Sequence, residues 1–183
     1  MGGFMGIWLA TEDKDTITAV VSVDGLPFIG PVFTQSSEVT VSDLSSQASF
    51  LQSFYSELDS AGMRMAAQRG IHHQAEAGEH QATILEMAAM SDPATASDAI
   101  YTIMTTDLRD KLSNVSAQIT LLGASGGFTN EEMKQNAEAL YQRELSNALN
   151  ANVTMNTQSR HFIMYDDPQW LLTQIKAAIQ EVE

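Results

Sequence analysis

The sequence predicts an α/β protein, a small parallel sheet with flanking helices and an inserted all-helical block. Three observations carry that reading. The runs TITAVVSVDG, AQITLLGASGG and NVTMNTQSRHF are apolar or β-branched enough to form strands. Helical patterns lie between the second and third runs and after the third, the alternation of a parallel sheet with crossover helices. Between the first and second runs, residues 43–106 are helical in pattern and contain no strand-like segment.

The elements follow in order. GGFMGIWLATE reads as a short buried helix whose glycines permit close approach to a sheet. TITAVVSVDG has the continuous apolar character of a strand buried on both faces and ends at an Asp-Gly turn. The block 43–106 is rich in Ala, Gln, Met and Ser, with breaks expected at Gly62, Gly70, Gly78 and Asp92-Pro93. AQITLLGASGG is the second strand. TNEEMKQNAEALYQRELSNAL then carries a cap at Thr129 or Asn130, acids in its first turn, and an apolar stripe of Met133, Ala137, Leu140, Tyr141 and Leu145. The third, weaker strand leads to DPQWLLTQIKAAIQEV. In that helix Pro168 stands at the start, and Trp170, Leu171, Ile175, Ala178 and Ile179 make one face. The organisation expected is 1–42 as the first part of an α/β core, 43–106 as an inserted helical lid, and 107–183 as the second part of the core.

Composition narrows the function. The net charge of −14, from 23 acidic and 9 basic residues, argues against a nucleic-acid partner, which needs clustered Lys and Arg. No apolar run is long enough to span a bilayer, so no membrane partner is expected. The chain has no Cys, which excludes disulfides, thiolate metal sites and a cysteine nucleophile. HHQAEAGEH would place His72, Glu76 and His80 on one face of a continuous helix, where three ligands could hold zinc. Gly78 interrupts the set, and a solvated helix is the better account; no metal is assigned. GASGGF follows a strand but lacks the Gly-Lys-Ser/Thr ending of a phosphate loop, so no nucleotide or other cofactor is assigned.

Ligands of open parallel sheets bind at the carboxyl ends of the strands. Asp24 and His161 fall there. A carboxylate accepting the imidazole Nδ1–H would fix the tautomer and steady an imidazolium. Taken singly, Asp24 also suits a turn and His161 a structural role, since Asp-Gly is a common turn dipeptide. Asp166 and Asp167 fit an N-cap for the last helix better than a catalytic role.

The stretch SRHFIMYDDPQWLLTQI resembles the catalytic-histidine segment of the α/β-hydrolase fold family, a strand ending in His-Phe followed by Asp-Pro and the last helix. MGGFMGIWLA resembles the end of a Gly-His-Ser-Met-Gly-Gly nucleophile elbow and the helix behind it. VVSVDGLPF resembles the next strand and turn, and MTTDLRDKLSNVSAQITLLGAS the return from the lid. The resemblance covers the whole chain but only the C-terminal half of the family's fold. It implies a serine hydrolase with triad order Ser, acid, His, acting on a small-molecule ester or acyl substrate.

The resemblance implies His161 as the catalytic histidine. The nucleophile would be the residue before Met1, and the Met1 amide would be the first oxyanion-hole donor. Ser22 lies inside a strand and cannot stand on a strand-to-helix turn; Ser36 and Ser37 follow the acid in the wrong segment. Most members carry the acid after the next-to-last strand, where this chain has no Asp, only Glu131 and Glu132 in a helix's first turn. Some carry it one strand earlier, at the position of Asp24, which is the assignment made. By this reading the chain lacks the nucleophile and is inactive alone, the outer edge of TITAVVSV has lost its neighbour, and self-association or pairing with an N-terminal half is expected. The compartment is unassigned.

Overall fold

A computed structural model describes residues 1–180. The chain divides into two compact units, one of Met1–Phe28 with the chain from Leu108 onward, the other of Ile29–Asp107. The first holds a parallel sheet of three strands, β1 (Ala19–Val23), β2 (Gln118–Ala124) and β3 (Ala151–Asn156), in the order β1-β2-β3. Val21 pairs with Thr120, and Leu121 with Val153. The architecture is therefore a partial α/β fold of three parallel strands flanked by helices.

β2 is buried from Ile119 to Gly123, because it has a strand on either side and helices on both faces. β1 departs from the expectation of a strand buried on both faces: Val20 and Ser22 are buried while Ala19, Val21 and Val23 are half-buried. It is an edge strand among the described residues, and only the face of Val20 and Ser22, packed against α1, is fully buried.

Helix α1 (Gly2–Glu12) lies on the face of Val20 and Ser22, with Phe4, Ile7, Ala10 and Thr11 buried. Its glycines do permit a close approach: a methyl on Gly3 would stand 2.9 Å from the Gly25 Cα. The helix is buried on that side only, and Met5, Trp8 and Leu9 are exposed.

The second unit begins with α2 (Gly30–Thr34) and continues through α3 (Val41–Ser56), α4 (Ser60–Gln68), α5 (Ile71–Gln74), α6 (Gly78–Met90) and α7 (Pro93–Thr105). It contains no strand among the described residues. It also takes in 29–42, which the sequence reading gave to the core. Asp43 Oδ2 accepts from the Thr40 amide at 2.9 Å to start α3, and Asp92 Oδ1 accepts from the Thr95 amide at 2.8 Å to start α7. α3 packs on α7 and α4 on α6, where Arg64 and Glu86 form an ion pair. Gly62 does not break a helix. It sits in the first turn of α4 and donates its amide to the cap Asp59 at 2.8 Å.

Back in the first unit, a 3₁₀ segment (Arg109–Asn114) leads into β2, and α8 (Glu131–Glu144) connects β2 to β3. The Asn130 side chain caps α8 by accepting from the Met133 amide at 2.8 Å. Ala137, Tyr141 and Leu145 bury their side chains, whereas Met133, a turn earlier, is exposed. The Arg109 guanidinium lies 4.7 Å from the centre of the Phe28 ring and 3.6 Å from the buried carboxylate of Glu144. After β3 come a single turn, α9 (Ile163–Asp166), and α10 (Pro168–Gln180). α10 covers the opposite face of the sheet, where Leu171, Trp170 and Ile175 pack with Leu122, Ile163, Val21 and Val23. Ile179, expected on that face, is exposed.

Candidate active site

The carboxyl ends of the strands bring together residues far apart in sequence. β1 ends at Val23, and its last ladder bond is the Asp24 amide donating to the Leu122 carbonyl at 2.8 Å. Asp24 then turns the chain with φ of +52°, in the left-handed region. Asp is among the few non-glycine residues that visit this region at modest cost, and Gly25 follows it. The sharp turn is sealed by the buried Ser22 hydroxyl, which donates to the Gly25 carbonyl at 2.7 Å. Ser22 is thus fully engaged inside its strand.

The same turn directs the Asp24 carboxylate along the top of the sheet. Oδ1 accepts from the Ala124 amide at 2.8 Å and from the Tyr141 hydroxyl at 2.6 Å. Oδ2 lies 2.7 Å from His161 Nδ1. The carboxylate is largely covered, with 9% of its side chain exposed, while His161 is 41% exposed. This leaves one imidazole nitrogen, Nε2, outside the pair.

His161 does not stand at the end of a strand as its sequence context suggested. β3 stops at Asn156, and a loop carries the chain on to His161. Polar side chains shape that loop. Asn156 Oδ1 accepts from the amides of Gln158 and Ser159 at 2.9 and 2.8 Å, and Asp166 Oδ2 accepts from the Arg160 amide at 2.8 Å. Asp167 caps α10 through the Trp170 amide at 3.1 Å, as expected. Asp166 serves the loop instead. The His161 ring sits edge-on to Phe162, centroids 5.3 Å apart, and Phe162 stacks on Tyr165.

A cavity of about 410 Å³ opens beside this pair, lined by Met1, Gly2, Gly3, Val21, Val23, His161, Phe162 and Met164. Met1 is the N-cap of α1 and is exposed. It therefore shares a cavity with His161, while Asp24 reaches that cavity only through the imidazole. Glu131 and Glu132 stand exposed in the first turn of α8, Glu131 with its carboxylate 3.4 Å from Lys134 Nζ. After β2, at Gly126, a methyl would lie 2.8 Å from the Ser159 carbonyl oxygen, so that turn has no room for a side chain there.

Tyr141 was legible in the sequence only as one member of an apolar stripe. Its ring lies over Gly123, where a methyl would come within 2.8 Å of the ring carbons. Burial and the adjacent Asp24 carboxylate push its phenol well above the ordinary tyrosine range. The signal that could have marked it is chemical: a tyrosine in a buried stripe needs a partner for its hydroxyl. The zinc reading of the 72–80 segment loses its geometry, because α5 ends at Gln74 and α6 starts at Gly78. Among the described residues no group of three or more His, Asp or Glu is placed to hold a metal, and no helix is long and apolar enough to cross a membrane.

No family model matches the sequence, and no curated protein does. Solved structures do match in fold. A hydrolase from Pseudomonas aeruginosa superposes with a TM-score of 0.72 at 13% identity, over 97% of this chain and 61% of that one. MenH from S. aureus gives 0.71 at 14% identity, over 98% and 65%. An enol-lactonase from Burkholderia xenovorans gives 0.65 at 15% identity, over 98% and 63%. The fold is that of the α/β hydrolases, and the chain spans under two thirds of the length of these structures.

Proposed function

We propose that this chain is the acid- and histidine-bearing portion of a serine hydrolase that cleaves an ester or a similar acyl bond. The observation that carries the reading is the 2.7 Å contact between Asp24 Oδ2 and His161 Nδ1 beside an open cavity. Asp24 holds the imidazole in the tautomer with its proton on Nδ1. Nε2 is then free to take the proton of an attacking hydroxyl and return it to the leaving group, while the carboxylate stabilises the imidazolium between those steps. The hydroxyl comes from a serine outside this chain, in a segment leading into Met1. The Met1 amide, at the start of α1, is the first oxyanion donor. The helical unit at 29–107 enters the sequence just after Asp24, and we assign it as the lid. Its several methionines suit an adaptable cover over an acyl group.

Two experiments test the reading. The codons upstream of Met1 are expected to encode an in-frame Gly-x-Ser, and the extended protein to hydrolyse activated esters in a manner abolished by His161→Ala. The 183-residue chain alone is expected to show no turnover. Histidine-dependent turnover by that chain, resistant to serine-directed phosphonates, would overturn the assignment of the nucleophile.

One feature favours a second reading, a non-catalytic module that associates through its open side. β1 has no strand on its outer edge among the described residues, and Met5, Trp8 and Leu9 of α1 are exposed. Sedimentation separates the two: a monomer whose β1 amides resist hydrogen exchange rules out the module.

A further inference from the structure

Asp24 is useful to His161 only if its carboxylate cannot rotate. Two donors converge on one of its oxygens. The Ala124 amide comes from the end of β2, at 2.8 Å, and the Tyr141 hydroxyl comes from α8, at 2.6 Å. They arrive from different elements, and both go to Oδ1, which leaves Oδ2 to the imidazole at 2.7 Å. We propose that Tyr141 is a positioning residue: its hydroxyl, with the Ala124 amide, clamps Oδ1 of Asp24 so that Oδ2 stays on His161 Nδ1. The proposal rests on the reading of Asp24 and His161 as a working pair and adds to it a third side chain, remote in sequence and out of reach of the cavity.

The packing around Tyr141 is built for this reach. β2 carries Gly123 at its buried next-to-last position, where a side chain would normally strengthen the strand. A methyl there would press within 2.8 Å of the Tyr141 ring, so the missing side chain is what lets the ring pack against the strand at Gly123. Ala137, one turn before Tyr141 in α8, and Leu145, at the helix's C-terminal cap, are buried as well and hold that face of α8 against the core. The hydroxyl thereby emerges at the carboxyl end of the sheet. Burial and the carboxylate both oppose ionisation of the phenol, so it remains a donor well into the alkaline range. A hydrogen bond to a charged acceptor is shorter and stronger than a neutral one, and here it acts on a carboxylate that is almost fully covered.

The test uses the 183-residue chain with ¹⁵N-labelled histidine, in the native protein and in Tyr141→Phe and Asp24→Asn. His161→Gln identifies the resonance. The readouts are the fraction of neutral His161 carrying its proton on Nδ1 and the exchange rate of that proton with water. A purely structural role for the ring, which Phe preserves, moves neither. In the native protein the Nδ1–H form should dominate, and Asp24→Asn should abolish that preference. Tyr141→Phe should move the tautomer fraction at least halfway to the Asp24→Asn value and speed exchange by about tenfold, the loss of one hydrogen bond to a charged group. Native values in Tyr141→Phe, with Asp24→Asn shifted, would overturn the positioning role and leave the pair standing. No change in Asp24→Asn would remove the pair and the proposal together. If Tyr141→Phe does not fold, 3-fluorotyrosine at position 141 must shift the His161 Nδ1 proton resonance; an unmoved resonance refutes the clamp.

Discussion

Gly3→Ala, set against Gly2→Ala, isolates the contact on which the site's inner wall depends. α1 rests on the turn after β1 through two glycines. A Cβ at Gly3 would meet the Ser22 hydroxyl and stand 2.9 Å from the Gly25 Cα, and a Cβ at Gly25 would stand 2.7 Å from the Gly3 Cα. Ordinary contact begins at 3.4 Å, so the helix must retreat to open the gap from 2.9 to 3.4 Å or more. Backbone lies on one side and a hydrogen-bonded serine on the other, so neither neighbour can yield cheaply. Overpacking of this kind costs about 1–3 kcal/mol, offset in part by the helix propensity of Ala over Gly, at most about 1 kcal/mol. Gly2 has nothing within 4 Å of its added Cβ and collects the propensity without the clash. The two variants should therefore differ by about 2 kcal/mol, Gly3→Ala the weaker, which for a chain of this size is about 4–8 °C in Tm. Thermal unfolding followed by circular dichroism measures the difference. A Gly3→Ala protein as stable as Gly2→Ala would refute the packing argument, and with it the claim that the Gly3–Gly25 contact sets where α1 meets the cavity.

Other perturbations are as specific. Tyr141 has its folded-state pKa raised above the unfolded value, so above about pH 10 the unfolded chain releases the proton first and stability falls by up to about 1.4 kcal/mol per pH unit. Urea midpoints between about pH 9 and 11 should show this slope in the native protein and lose Tyr141's share of it in Tyr141→Phe. Asn130→Ala removes the cap on α8 and should cost about 1 kcal/mol, read as a lower urea midpoint with an unchanged m-value. On the acid side, hydrogen bonds from Thr40 hold the Asp43 carboxyl below its usual range, and those from Thr95 do the same for Asp92. The stability these caps lend is present above the ordinary carboxylate range and fades as pH falls through the lowered values. Loss of helical ellipticity on acid titration should begin later in the native protein than in a Thr40→Ala, Thr95→Ala double variant.

Much of the core was legible along the chain. Its parallel strands announced themselves because β-branched runs between turn residues have few other stable conformations. A cap at Thr129 or Asn130, a break at Asp92-Pro93 and a turn at Asp24-Gly25 were also legible, since each is decided by a residue and its near neighbours; the structure puts the first cap on Asn130 and starts α7 at the break. Asp24 and His161 could be singled out because both follow strand-like runs, and parallel sheets bind ligands beyond the carboxyl ends of their strands; the loop that carries His161 on from Asn156 was not legible. The two accounts of Asp24 proved compatible: it makes the turn, and the left-handed turn is what aims its carboxylate.

The remainder depended on contacts across long sequence separations, which local pattern does not encode. That β1 is only half-buried on one face, that Trp8 and Leu9 face outward, and that Met133 and Ile179 miss the core all follow from which surfaces happen to be covered in three dimensions. The role of Tyr141 required Gly123 and Asp24 to be brought beneath and beside it from β2 and from the turn after β1. Periodicity tells a side chain which face of its own helix it shares; only the packed sheet determines which hydroxyl, amide and imidazole meet on a single carboxylate.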